Sequence, residues 1–208
     1  MKRFSQFLGI HRGKDKFKQA PNSTIVQGNA NDFNYKTCFA WSLSDGISPE
    51  GKGIKLTTEV YSSATLTEIG YQLIPAINND VFLDFPKETT KGRIEVDLFL
   101  ETFGNNNNWH GLYVLIGGCF VKFVYNTLRI VTSGGVTFKD LATVELNTPY
   151  RLVVEYDLPA QKLKVFLDGI SYYDGDYEYS ASTSPIQIGH GHTGVSYLTR
   201  IVHKEFKG

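Results

Sequence analysis

The chain predicts an all-β fold of two antiparallel sheets packed as a sandwich or jelly roll, with an extended arm at its N-terminus. Three observations lead there. Eleven apolar-rich runs of about five to nine residues follow one another from Tyr35 onward, each closed by Gly, Asn, Asp or Pro. The composition holds 14 Phe, 12 Tyr and 20 Gly against one Met, a balance of strand and turn formers. No useful length of sequence repeats its apolar residues with the 3.6-residue period of a helix.

The arm comes first. Residues 1–21 carry Lys2, Arg3, Arg12, Lys14, Lys16 and Lys18 against Asp15 alone, a net of +5, so the remainder of this neutral chain holds −5. Phe4, Phe7 and Leu8 have helical spacing that ends at Gly9, and Phe17 lies between two lysines. An arm with no core of its own is expected to dock through these basic and aromatic residues, either on the protein's own body or, as the favoured reading, on another protein subunit. Residues 22–208 then form one domain, long enough to bury a sizeable core.

The strands are read in order as "YKTCFAWSL", "GIKLTTEV", "YQLIPAI", "VFLDF", "RIEVDLFLE", "GLYVLIGG", "CFVKFVY", "TLRIVT", "YRLVVEYD", "KLKVFLDG" and "PIQIG". Residues 63–70, "SATLTEIG", read as one helical turn. Asp168-Gly169 predicts a tight hairpin turn. Cys38 and Cys119 sit in apolar runs and are expected as buried free thiols, with a disulfide the alternative.

Several function classes are set aside. A neutral chain is not a general polyanion binder, and basic residues interleaved with aromatics occur only in the arm, too few for sequence-specific nucleic-acid readout. The first residues lack the apolar run and small-residue cleavage site of a secretory signal, which predicts synthesis in a cytoplasm. No stretch approaches the roughly 20 apolar residues of a membrane span. The nucleophile-elbow, phosphate-loop, Cys-x-x-Cys and His-Glu-x-x-His patterns are all missing.

Two stretches say more. "NTPYRLVVEYDLPAQKLKVFLDGISYYDG" (147–175) is a strand, a short turn with Pro159, a second strand and the Asp-Gly turn. "SPIQIGHGHTGVSYLTRIVHKEF" (184–206) is a strand, a polar loop and a closing strand. Together they resemble the concanavalin A-like, laminin-G-like jelly roll over residues 90–206. They depart from it at Thr199-Arg200-Ile201, where the family often has Gly-x-Ile. The resemblance implies the fold; lectins, glycosidases, adhesion modules and virion proteins share it.

Candidate sites follow. In "GRIEVDLFLE" (92–101), strict alternation places Ile94, Val96, Leu98 and Leu100 on one face and Glu95, Asp97, Phe99 and Glu101 on the other. Jelly-roll glycosidases carry acids two residues apart on such a face. Here Glu95 and Glu101 stand roughly 20 Å apart at the rise of a strand, whereas a retaining pair needs about 5 to 5.5 Å. The expectation is a surface whose acids pair with neighbouring bases, and no catalytic residue is assigned.

The ligand-binding candidates are Asn105, Asn106, Asn107, Asn108, Trp109 and His110: amides to match sugar hydroxyls and an indole to stack on a sugar ring. The other reading of that loop is a plain connection with its Trp folded onto the core. His190 and His192 in "GHGHTG" are read as solvated turn residues, and Asp168, Asp174 and Asp176 lack the order of a calcium loop, so no metal or cofactor is expected. Tyr172, Tyr173, Tyr177 and Tyr179 are alternatively a contact surface.

These readings make the chain a non-enzymatic structural or interaction protein. By analogy of architecture it is expected to be a bacteriophage virion component, such as a capsid-decoration, head-fibre or tail protein, mounted through its arm. The alternative is a carbohydrate-binding adhesion module using the 105–110 loop. A glycoside hydrolase ranks third.

Overall fold

The computed structural model describes residues 35–85, 90–132, 135–177 and 186–207. The arm, with all its docking candidates from Lys2 to Lys18, lies outside the described residues, as does Tyr179.

Two antiparallel sheets form the jelly-roll sandwich that the sequence predicts. Sheet A runs β13 (Ile170–Asp176), β12 (Lys162–Leu167), β11 (Tyr150–Asp157), β6 (Lys91–Thr102), β15 (Val195–Phe206), β4 (Tyr71–Ile74), β3 (Ser63–Leu66). The long β15 has room for a second neighbour, and β1 (Tyr35–Ser42) pairs with it beyond the end of β4. Sheet B runs β10 (Thr137–Thr143), β9 (Thr127–Thr132), β8 (Cys119–Val124), β7 (Gly111–Ile116), β14 (Ile186–Gly191), β5 (Asp80–Phe85), β2 (Lys55–Thr58).

Alternation decides what is buried. Ile94, Val96, Leu98 and Leu100 of β6 all point into the core, where they join the buried residues Val81, Leu83, Leu112, Val114, Ile116, Leu128 and Ile130 from the inner face of sheet B. Each such aliphatic side chain contributes roughly 1.5–3 kcal/mol when fully withdrawn from water. Asp168 and Gly169, with φ of 50° and 82°, make the predicted two-residue turn between β12 and β13; two successive positive φ values suit the twist of the hairpin.

Three strands escaped the sequence reading, and all three lie at sheet edges: β3, β10 and β13. An edge strand has one neighbour and weak burial, so its side chains need not alternate. Strand β10 also slips register twice against β9, which breaks its pattern further. The helical turn expected at 63–70 is instead β3 followed by a turn, in which the Thr67 hydroxyl donates to the Gly70 carbonyl at 2.7 Å. The aromatics of 168–180 are not one exposed surface either, since Tyr177 is buried and Tyr172 and Tyr173 pack against the core.

Both cysteines are free thiols. Cys119 is buried as expected, and desolvation pushes its thiol up to about 12. Cys38 corrects the expectation: it is exposed, at a register shift between Thr37 and Phe39 that interrupts the alternation of β1.

Candidate functional site

The acids of β6 face outward from sheet A, and their partners lie on the adjoining strands. Arg151 of β11 grips Asp97 with two hydrogen bonds of 2.6 and 2.7 Å. Glu95 is only 6% exposed and receives Lys204 at 2.8 Å, Arg93 at 3.0 Å and Arg200 at 3.2 Å. Burial alone would raise its pKa, but the hydrogen bond and charge of Lys204, with Arg93 and Arg200, hold the carboxyl below its ordinary value. Glu101 accepts a 2.7 Å hydrogen bond from the Tyr197 hydroxyl.

The 103–110 segment behaves differently. It folds back across the outer face of sheet B and is tied down along its length. The Asn108 amide donates 2.8 Å hydrogen bonds to the Gly135 carbonyl and the Thr137 hydroxyl, while its oxygen accepts one of 3.0 Å from Arg129. Asn107 closes the turn, its Oδ1 accepting from the Trp109 amide at 3.0 Å. His110 is buried against the Thr193 hydroxyl at 2.7 Å. Three of the six candidate ligand residues therefore serve the loop itself. Asn105 and Asn106 are exposed, and Trp109, its indole packed against Gly135, keeps 48% of its surface. The indole is neither folded into the core nor free of the body.

Beneath this loop lie groups that sequence reasoning missed. Register pairs Asp80 of β5 with Gly191 of β14, and Gly189 with Tyr113 of β7. A side chain at Gly189 would meet the Tyr113 hydroxyl at 2.7 Å; one at Gly191 would meet the Trp109 carbonyl at 2.6 Å and Asp80 Oδ1 at 2.9 Å. The two glycines thus let Tyr113 lie across β14, where its hydroxyl reaches Asp80 Oδ2 at 3.4 Å, and bring the Asp80 carboxylate beside the Trp109 carbonyl.

Asp80 Oδ1 is buried and accepts no hydrogen bond among the described residues; His192 Nε2 stands 3.9 Å away. Desolvation raises the Asp80 pKa, only partly opposed by Lys122 and His192. Lys122 is 3% exposed, donates to the Trp109 carbonyl at 2.8 Å, and lies over the rings of Tyr113 and Phe120 at 5.1 and 5.6 Å. The "GHG" glycines at alternate positions were the available signal, since glycines on one strand face leave room for neighbouring side chains to cross.

The other candidates resolve as structure. His190 is not solvated but fully buried, hydrogen-bonded to the Ser196 hydroxyl at 2.8 Å and the Thr193 carbonyl at 2.9 Å, and burial lowers its pKa to about 3. It follows Ile186 and Ile188 on the inward side of β14, while His192 lies beyond the strand end. Asp174 pairs with Lys164 and Asp176 with Lys162 across the β12–β13 hairpin, and Asp168 Oδ1 caps the Arg151 amide. Among the described residues no three His, Cys, Asp or Glu side chains gather to hold a metal ion.

No protein-family model matches the chain, and no curated protein matches it. Solved structures do. A sialidase aligns with a TM-score of 0.58 and 14% identity over 81% of this chain; the chain spans only 18% of that protein. The Emp47p carbohydrate recognition domain gives 0.57 and 13%, covering 86% of this chain and all of that one. Domain 4 of AbnA, a GH43 extracellular arabinanase from Geobacillus stearothermophilus solved with arabinotriose, gives 0.54 and 10%, covering 83% and 94%. At these identities the likeness is one of fold, the jelly-roll-like β-sandwich.

Proposed function

We propose that the protein is a carbohydrate-binding module of the concanavalin A-like kind, holding a glycan on the outer face of sheet B without cleaving it. One observation carries this reading: on the outer face of sheet B a carboxylate oxygen of Asp80 is left without a hydrogen bond beside the backbone of Trp109, whose indole, packed on Gly135, stays half exposed. A carboxylate held by a single long hydrogen bond keeps acceptor capacity, and Asp80, whose side chain is 29% exposed, offers it to a sugar hydroxyl at its open edge. The apolar face of the sugar ring then stacks on Trp109, and the exposed amides of Asn105 and Asn106 meet hydroxyls at the rim. Binding without cleavage is supported by Glu95 and Asp97, whose charges are taken up by ion pairs.

Two of the similar folds are named for carbohydrate recognition or were solved with a sugar, which favours this alternative over the virion component expected first. The test is a glycan array probed with the full chain, Trp109→Ala and Asp80→Asn. The wild-type protein should capture a defined glycan class, and each variant should bind at least roughly tenfold more weakly with an unchanged melting temperature. Absence of capture by the wild-type chain, or equal capture by all three, would overturn the proposal.

A further inference from the structure

A lysine buried on the outer face of a sheet needs an explanation, because an ammonium withdrawn from water is costly unless its charge is used. Lys122 is 3% exposed, and its hydrogen bond runs to the carbonyl of Trp109, the residue whose side chain is the half-exposed platform. Its ammonium also lies over the faces of the Tyr113 and Phe120 rings, whose π electrons attract it. The carbonyl it holds and Asp80 Oδ1 both crowd the missing side chain of Gly191, and the Asp80 charge acts on the ammonium from there.

We propose that Lys122 is the positioning residue of this site: its buried ammonium acts as a built-in cation that pins the Trp109 backbone over sheet B and so fixes where the indole stands on that face. The proposal rests on the glycan-binding reading for its purpose, but the pinning itself can be measured without a sugar.

The surroundings make the lysine's charge state readable. Desolvation lowers its pKa to about 8, with Asp80 pulling the other way. The groups facing it are Asp80 from β5, Tyr113 from β7, His110 in the loop and Arg129 opposite it on β9, with His190 and His192 at the end of β14. Burial holds His110 and His190 below their ordinary range and Tyr113 far above its own, so these do not titrate between pH 7 and 9. Deprotonation turns a charge-assisted hydrogen bond into a weaker neutral one.

The test is amide hydrogen exchange of residues 105–111 in the full chain, corrected for intrinsic rates, for wild type and Lys122→Met at pH 7 and pH 9.5. Methionine keeps the apolar stem. At pH 7 the variant should exchange roughly tenfold or more faster than wild type in this segment. Wild type should itself loosen between pH 7 and 9.5, and the variant should show no such change. Equal protection in both proteins, or a wild-type loop indifferent to pH across that range, would overturn the proposal. Should the variant misfold, the wild-type titration decides alone. If the loop responds as stated but no glycan binds, Lys122 still pins the loop and only the sugar reading falls.

Discussion

The outer faces of the two sheets carry the same kinds of residue and use them in opposite ways. On sheet A, Glu95 is buried with three cations around it and Asp97 is clamped by Arg151. On sheet B, Asp80 has one oxygen bonded and one left over, and Lys122 gives its hydrogen bond to a backbone carbonyl rather than to that acid. The pKa shifts follow: cations win over burial at Glu95, and burial wins over cations at Asp80. An acid whose charge is fully answered by its own fold has nothing left for a ligand. An acid with an unanswered oxygen on a partly exposed face does.

Each sheet contributes one buried histidine, His190 from β14 and His203 from β15, with pKa lowered by burial to about 3 and about 4 from 6.5. Both are neutral in the folded chain but take up a proton near 6.5 when it unfolds, so this stability is complete above about pH 6.5 and is lost as pH falls. Between pH 6 and 4 the slope should approach about 2.7 kcal/mol per pH unit, two protons' worth. Denaturant melts across that range check it, and His203→Gln should halve the slope. A flat profile would mean the two rings accept protons while folded.

Next in size is the paired face. Glu95→Gln leaves Arg93, Arg200 and Lys204 facing one another and should cost about 3 kcal/mol, or ~6–12 °C in melting temperature. The same substitution should leave glycan capture unchanged, the reverse of Asp80→Asn. If Glu95→Gln instead abolished capture and spared stability, the roles of the two faces would be exchanged. Removing residues 1–21 should have the smallest effect, shifting the melt by less than about 2 °C, because residues 22–208 carry the whole alternating pattern. A truncated chain that unfolds or aggregates would show that the arm belongs to the core.

The sandwich was legible because strand alternation is written locally. The face assignment of Ile94 through Leu100 and the turn at Asp168-Gly169 needed only period and turn chemistry. The edge strands β3, β10 and β13 were not legible, since weak burial imposes no pattern there. Trp109 was visible as a platform by composition, yet Asn107, Asn108 and His110 beside it turned out to hold the loop together. His190 was misread as solvated because a residue between two glycines looks like a turn, while in the sheet it continues the inward row of Ile186 and Ile188.

By itself the sequence determined the all-β class, the inner face of β6 and the distance that keeps Glu95 and Glu101 apart, because these depend on neighbours along one strand. Only the tertiary structure decided which acid is spent and which is spare. Asp80, Tyr113, Lys122 and Gly191 come from four strands separated by up to 111 positions, and register alone brings them together. Pairing between strands sets that register through long-range packing, which no local period records.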